Sequence, residues 1–149
     1  MINSYLNSNI GYSRATGPSY GPVLNVSTCE NLGYSSFSGA TPTGFNAASD
    51  GSGNDAAGSA DEITLVSGTQ YFVEFDMVVN GGTHTPKYDL TRELNGASRT
   101  SDGAQSSSAG SNSFTFTCDE STTGVCQFKN ADTETADFEI TNLSVRAIL

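Results

Sequence analysis

Two cysteines in the segment "NSFTFTCDESTTGVCQFKN", Cys118 and Cys126, are the first residues whose type and spacing could do chemistry. Alternation of apolar and polar residues reads this segment, residues 112–130, as one β-hairpin. A register with Cys118 opposite Cys126 also sets Phe116 opposite Phe128 and leaves Phe114 on the same face. Directly opposed residues have Cβ atoms about 4.5 to 5.5 Å apart, a little wider than a relaxed disulfide prefers. The pair is therefore either a disulfide or two buried thiols acting as small hydrophobes beside phenylalanines. Redox chemistry needs a depressed thiol pKa, and Lys129 is the only cation near in sequence. Zinc would need further ligands, for which only His84 and Cys29 remain.

Other residues offer weaker chemistry. His84, the only histidine, lies in the turn "GGTHTPK" without a nucleophile motif beside it, and reads as a solvated loop residue. The stretch "DGSGNDAAGSADE", residues 50–62, offers oxygen ligands at Asp50, Ser52, Asn54, Asp55, Asp61 and Glu62. It begins like a calcium loop, but Asp55 stands where such loops need glycine, and the flanking helices are missing. A flexible acidic loop is expected there; no cofactor is expected, and calcium is the one ion this set could hold loosely. Glu74 and Asp76 share the outer face of a strand, while Asp119 and Glu120 sit in the hairpin turn. Paired carboxylates can hydrolyse glycosides at the right separation, yet nothing in the sequence raises either pKa. Tyr5, Tyr12, Tyr20, Tyr34, Tyr71 and Tyr88 could stack on sugars, although the absence of Trp removes the largest flat apolar face.

The elements that must position these residues are strands. With 149 residues the chain can bury a core as one domain. Sixteen acidic residues against six basic ones give a net charge of -10, a field that repels nucleic-acid phosphates and anionic headgroups. Neither nucleic acid nor membrane is an expected partner. The N-terminus has no basic start followed by an apolar stretch, so no secretory signal is expected. Residues 1–22, rich in Tyr, Asn, Gly and Pro, read as an extended arm carrying Tyr5, Tyr12, Arg14 and Tyr20 as partner contacts. The domain proper is expected over 23–149. A strand is predicted at Val23–Val26, and a long loop of small residues from Ser38 to Asp61 with a short strand around Phe45.

The centre alternates most clearly. After a strand at Ile63–Val66, Tyr71, Val73, Phe75, Met77 and Val79 share one face, and Phe72, Glu74, Asp76 and Val78 the other. Tyr88, Leu90 and Leu94 continue the apolar face, with Arg92 at a rim. In "TADFEITNLSVRAIL" the apolar parity switches after Ile140, which predicts a bulge near Thr141 and Asn142. No segment reads as a helix. About eight short strands imply an all-β antiparallel sandwich preceded by the arm.

Leu65, Gly68, Tyr71, Phe75 and Asp76, then Phe114 and Phe116, then Phe138, Ile140, Asn142, Leu143, Ser144 and Val145 form an ordered set of strand motifs. In this order they resemble carbohydrate-binding-module-like jelly rolls, including those of tailed-bacteriophage virion proteins, over roughly 110 residues. The resemblance implies a jelly-roll sandwich. It also implies a non-enzymatic virion protein, foremost a capsid decoration or cement protein, with the major capsid protein and its own copies, as a homo-trimer, for partners. A glycan-binding module of a phage tail or fibre is the alternative, and a carbohydrate-active enzyme module a third. Assembly in the host cytoplasm and residence in the virion follow from the same likeness.

Overall fold

The computed structural model describes residues 17–60, 62–131 and 133–149. Those residues form two antiparallel sheets packed face to face, with no helix among them. The strands are β1 (Tyr20–Val23), β2 (Glu30–Leu32), β3 (Ser36–Thr41), β4 (Gly44–Asp50), β5 (Asp55–Gly58) and β6 (Ile63–Leu65). They continue as β7 (Gln70–Gly82), β8 (Lys87–Thr91), β9 (Gln105–Ser106), β10 (Gly110–Thr117), β11 (Thr122–Asn130) and β12 (Thr135–Ile148). The first sheet runs β10-β7-β12-β4-β3, with β1 also on β12; the second runs β2-β5-β11-β8-β9, with β6 also on β11.

The inward residues of both sheets make one core. Tyr71, Val73, Phe75 and Met77 of β7 are all buried, as the two-residue period requires, whereas Val79, expected on the same face, is 39% exposed. From the second sheet, Phe128 stands edge-on to Phe75 and Phe45 of the first, with ring centroids 4.8 and 5.7 Å apart. Tyr88 packs edge-on against Phe75 at 4.8 Å. Such contacts favour the edge-to-face arrangement of aromatic quadrupoles.

The segment 112–130 is not a hairpin. β10 pairs with β7 in the first sheet, and β11 pairs with β5, β6 and β8 in the second, so the chain changes layers between them. Cys126 lies opposite Leu90 rather than Cys118, and Phe116 lies opposite Tyr71 rather than Phe128. All three cysteines are free and buried. The crossing is pinned by Cys118 N–H donating to Thr69 O at 3.0 Å and by Ser67 N–H donating to Ser121 Oγ at 3.0 Å. The intact mass is accordingly expected to be identical with and without reductant; a mass that rises on reduction would contradict this arrangement.

Three further expectations give way. The small-residue stretch from Ser38 to Asp61 is mostly strand, in β3, β4 and β5. Its glycines let backbones approach: a Cβ on Gly44 would stand 2.0 Å from Ile140 O, and one on Gly58 would stand 2.0 Å from Cys126 O. The strand expected at Val23–Val26 is instead β1, shifted to Tyr20–Val23 and paired with β12 from Tyr20↔Ile148 to Val23↔Arg146. Among the described residues the strands number twelve rather than about eight, since the short β1, β2, β5 and β9 carry no alternation of their own.

The bulge predicted near Thr141 is present. The β7–β12 register shifts between Thr141 and Ser144, and Asn142 takes a φ of 56°. An asparagine tolerates this left-handed conformation better than a β-branched residue would. The shift returns Leu143 and Val145 to the core beside Phe138 and Ile140.

Candidate functional site

The outer face of the first sheet carries an open groove of about 430 Å³. Alternation turns Phe72, Glu74 and Asp76 of β7 outward, and the β10 register sets Ser113 opposite Glu74 and Ser111 opposite Asp76. The bulge of β12 then brings Asn142 into the same groove. Asn142 Nδ2 donates to Asp76 Oδ2 at 2.7 Å, and Ser111 Oγ–H donates to Asp76 Oδ1 at 2.5 Å. These bonds, Ser111 first, hold the Asp76 carboxyl below its ordinary pKa. Arg146 stands 3.8 Å from Glu74, and Tyr20 of β1 stacks on Phe72 with centroids 4.9 Å apart.

Asp76 is poorly suited to the general-acid role that hydrolysis requires. A general acid needs a carboxyl that keeps its proton near neutral pH, whereas Asp76 is held ionised. A fixed carboxylate, two serine hydroxyls, an amide and an aromatic pair present hydrogen-bonding groups beside an apolar patch.

The other residues singled out from sequence lie apart. Asp50 Oδ1 accepts from Ser52 N–H at 3.0 Å at the exposed end of β4, while Asp55 is buried in β5 and Asn54 is exposed. Glu62 is occupied elsewhere, accepting from Val26 N–H and Ser27 N–H at 2.6 Å each. Among the described residues no three His, Cys, Asp or Glu side chains cluster as a metal site would require. Asp61 lies outside the described residues, as do Tyr5, Tyr12 and Arg14. Of the tyrosines, Tyr34, Tyr71 and Tyr88 are buried in the core, which leaves Tyr20 exposed among the described ones. Burial pushes the Cys29 thiol up to about 11 and Cys126 higher still, so both stay protonated and poorly nucleophilic at neutral pH.

Asp89 had no signal in the sequence beyond its place on a strand. The turn after β8 folds back over it, and Ser98 Oγ–H donates to its Oδ1 at 3.0 Å. Burial raises its pKa from 3.8 to about 6 despite that bond. The carboxyl keeps its proton in the folded state over a pH range where the unfolded chain releases it. Stability therefore falls as pH rises from about 4 through 6 and is lower by a constant amount above that. Asp89→Asn, which keeps an acceptor for Ser98, is expected to stabilise the fold at pH 7.5 by about 2 kcal/mol. That gain should vanish near pH 3.5 in paired denaturant titrations.

No family model and no curated protein matches the chain.

Proposed function

We propose that this chain is a non-enzymatic bacteriophage virion protein that decorates and cements the outer capsid surface. One observation carries the reading: the root of the N-terminal arm is built into the sandwich. β1 pairs with β12 beyond the reach of β4, Tyr20 stacks on Phe72, and Leu149 N–H donates to Ser19 O at 2.9 Å. The sequence leading to Tyr20 thus departs from a fixed point on a rigid body. A tyrosine-bearing arm held at one end can lie along capsid subunits, contributing main-chain hydrogen bonds and aromatic anchors at the cost of its ordering entropy. The partners are the major capsid protein and two further copies of this chain.

Removal of residues 1–16, which leaves β1 intact, tests the mechanism. The full chain is expected to bind undecorated capsids saturably, and the truncated chain to melt at an unchanged temperature but not to bind. Equal capsid binding by both would refute the role of the arm.

The groove on the first sheet favours a second reading, a glycan-binding receptor-recognition module at a phage tail or fibre. Micromolar binding on a glycan array, lost in Asp76→Ala, would support it over cementing; an array without any binder would reject it.

A further inference from the structure

The chain has two lysines and one histidine, and all three line one cavity of about 190 Å³ on the second sheet. Lys87 of β8 and Lys129 of β11 lie directly opposite one another in the register. Like charges so placed repel, and nothing in the pairing of the strands requires them. The ion pairs among the described residues use His84, Arg99 and Arg146, so neither ammonium has a described carboxylate within 4.0 Å. Asp89 and Glu134 line the same cavity and balance its formal charge, yet the chain's two ammonium groups are both gathered here without an ion-pair partner among the described residues.

The rest of the lining is polar in a different way. Gln127 and Asp89 are 2% and 3% exposed, buried under the turn that follows β8. Gln127 Oε1 accepts from Asn95 N–H at 2.7 Å, which fixes the amide and leaves its Nε2–H donors without a partner among the described residues. Asp89 Oδ1 accepts from Ser98, and Glu134 Oε1 lies 3.4 Å from His84 Nδ1. Each of these carboxyls keeps acceptor capacity for a hydroxyl donor. Ala104 and Ala131 supply small apolar walls.

We propose that this cavity binds one carboxylate-bearing sugar unit, of the hexuronic acid class. Lys87 and Lys129 take the carboxylate as a charge-assisted pair, Gln127 Nε2–H donates to a ring or hydroxyl oxygen, and Asp89 and Glu134 accept from sugar hydroxyls. Inorganic phosphate at neutral pH brings only one or two P–OH donors, on the same phosphorus as its charged oxygens, to serve two acidic side chains on separate segments. A metal cation would meet the lysines. A ligand carrying an anion and several separated hydroxyl donors answers every group in the lining. The inference stands on this cavity alone and survives the failure of either reading of the particle.

The test is a two-dimensional ¹H–¹⁵N titration of the full chain at constant ionic strength with glucuronate, galacturonate, glucose, glycine and inorganic phosphate. One uronate is expected to shift the Lys87, Gln127 and Lys129 signals saturably with a Kd on the order of 1 mM. Glucose, glycine and phosphate should bind at least about tenfold more weakly, and Lys87→Gln/Lys129→Gln should weaken the uronate by a similar factor. Should the double variant not fold, Lys87→Gln alone, at an exposed position, reads the same loss. No saturable uronate shifts at these residues, equal binding of any of the other three, or undiminished binding by the variant would overturn the proposal.

Discussion

Phe128→Ala is expected to cost about 3 to 5 kcal/mol of folding stability, the range for deleting a fully buried aromatic ring. Phe128 is 0% exposed and is the ring through which the second sheet meets Phe45 and Phe75 of the first. Removing it leaves a void between layers that are each held by their own ladders, so the surroundings can collapse only partly. Against a total of about 5 to 15 kcal/mol for an ordinary domain, the loss is a large fraction. Denaturant unfolding should show a lower midpoint with an unchanged slope. A loss below about 1 kcal/mol would mean that the two sheets do not meet at this ring.

Asn25→Ala is expected to cost about 3 kcal/mol for a different reason. Asn25 is 1% exposed although it lies outside any strand. Its Nδ2 donates to Pro42 O at 2.9 Å and to Leu143 O at 3.0 Å, and its Oδ1 accepts from Val145 N–H at 2.8 Å. One amide thus satisfies backbone groups just after the bulge of β12 and in the β3–β4 turn. Alanine would strand two carbonyls and an N–H in the interior, where an unmade bond costs more than a made one contributes. Asn25→Asp should also destabilise, because a carboxylate cannot donate to either carbonyl. Faster exchange of the Val145 amide would localise the effect, and an unchanged rate in Asn25→Ala would contradict it. The same burial makes the sequon Asn25-Val26-Ser27 unsuitable for a glycan in the folded chain.

The contrast between these two residues shows what the sequence could disclose. Phe128 and its core partners were legible, because strict alternation in β7 and the parity switch in β12 are local signals of inward faces. The layer change between β10 and β11 was not. Phe114, Phe116, Cys118, Cys126 and Phe128 face the core whether their strands pair with each other or stand in opposed sheets, so parity cannot separate the two. The strands between Ser38 and Gly58 were hidden because Gly, Ala and Ser have weak strand propensity, and the demand for small residues comes from partners distant in sequence.

For the sites, the outward placement of Glu74 and Asp76 was readable from alternation. Their hydrogen-bonded company was only half so: the bulge pointed to Asn142, but Ser111 and Tyr20 arrive through long-range pairing. The meeting of Lys87 with Lys129 likewise depends on the β8–β11 register, and the burial of Asp89 on a turn folding back over a sheet. Expected ligands within residues 50–62 dispersed instead, since the segment that reads as a loop contributes β5, where Asp55 turns inward.

If this sandwich is part of a virus particle, as proposed, quantitative mass spectrometry of particles purified from the lysate in which the chain is made will detect it there. Peptides of this chain are expected in fixed ratio to the major capsid protein, retained through density-gradient purification and lost when residues 1–16 are deleted. Its absence from purified particles, with the chain recovered only in the soluble lysate, would rule out a virion role.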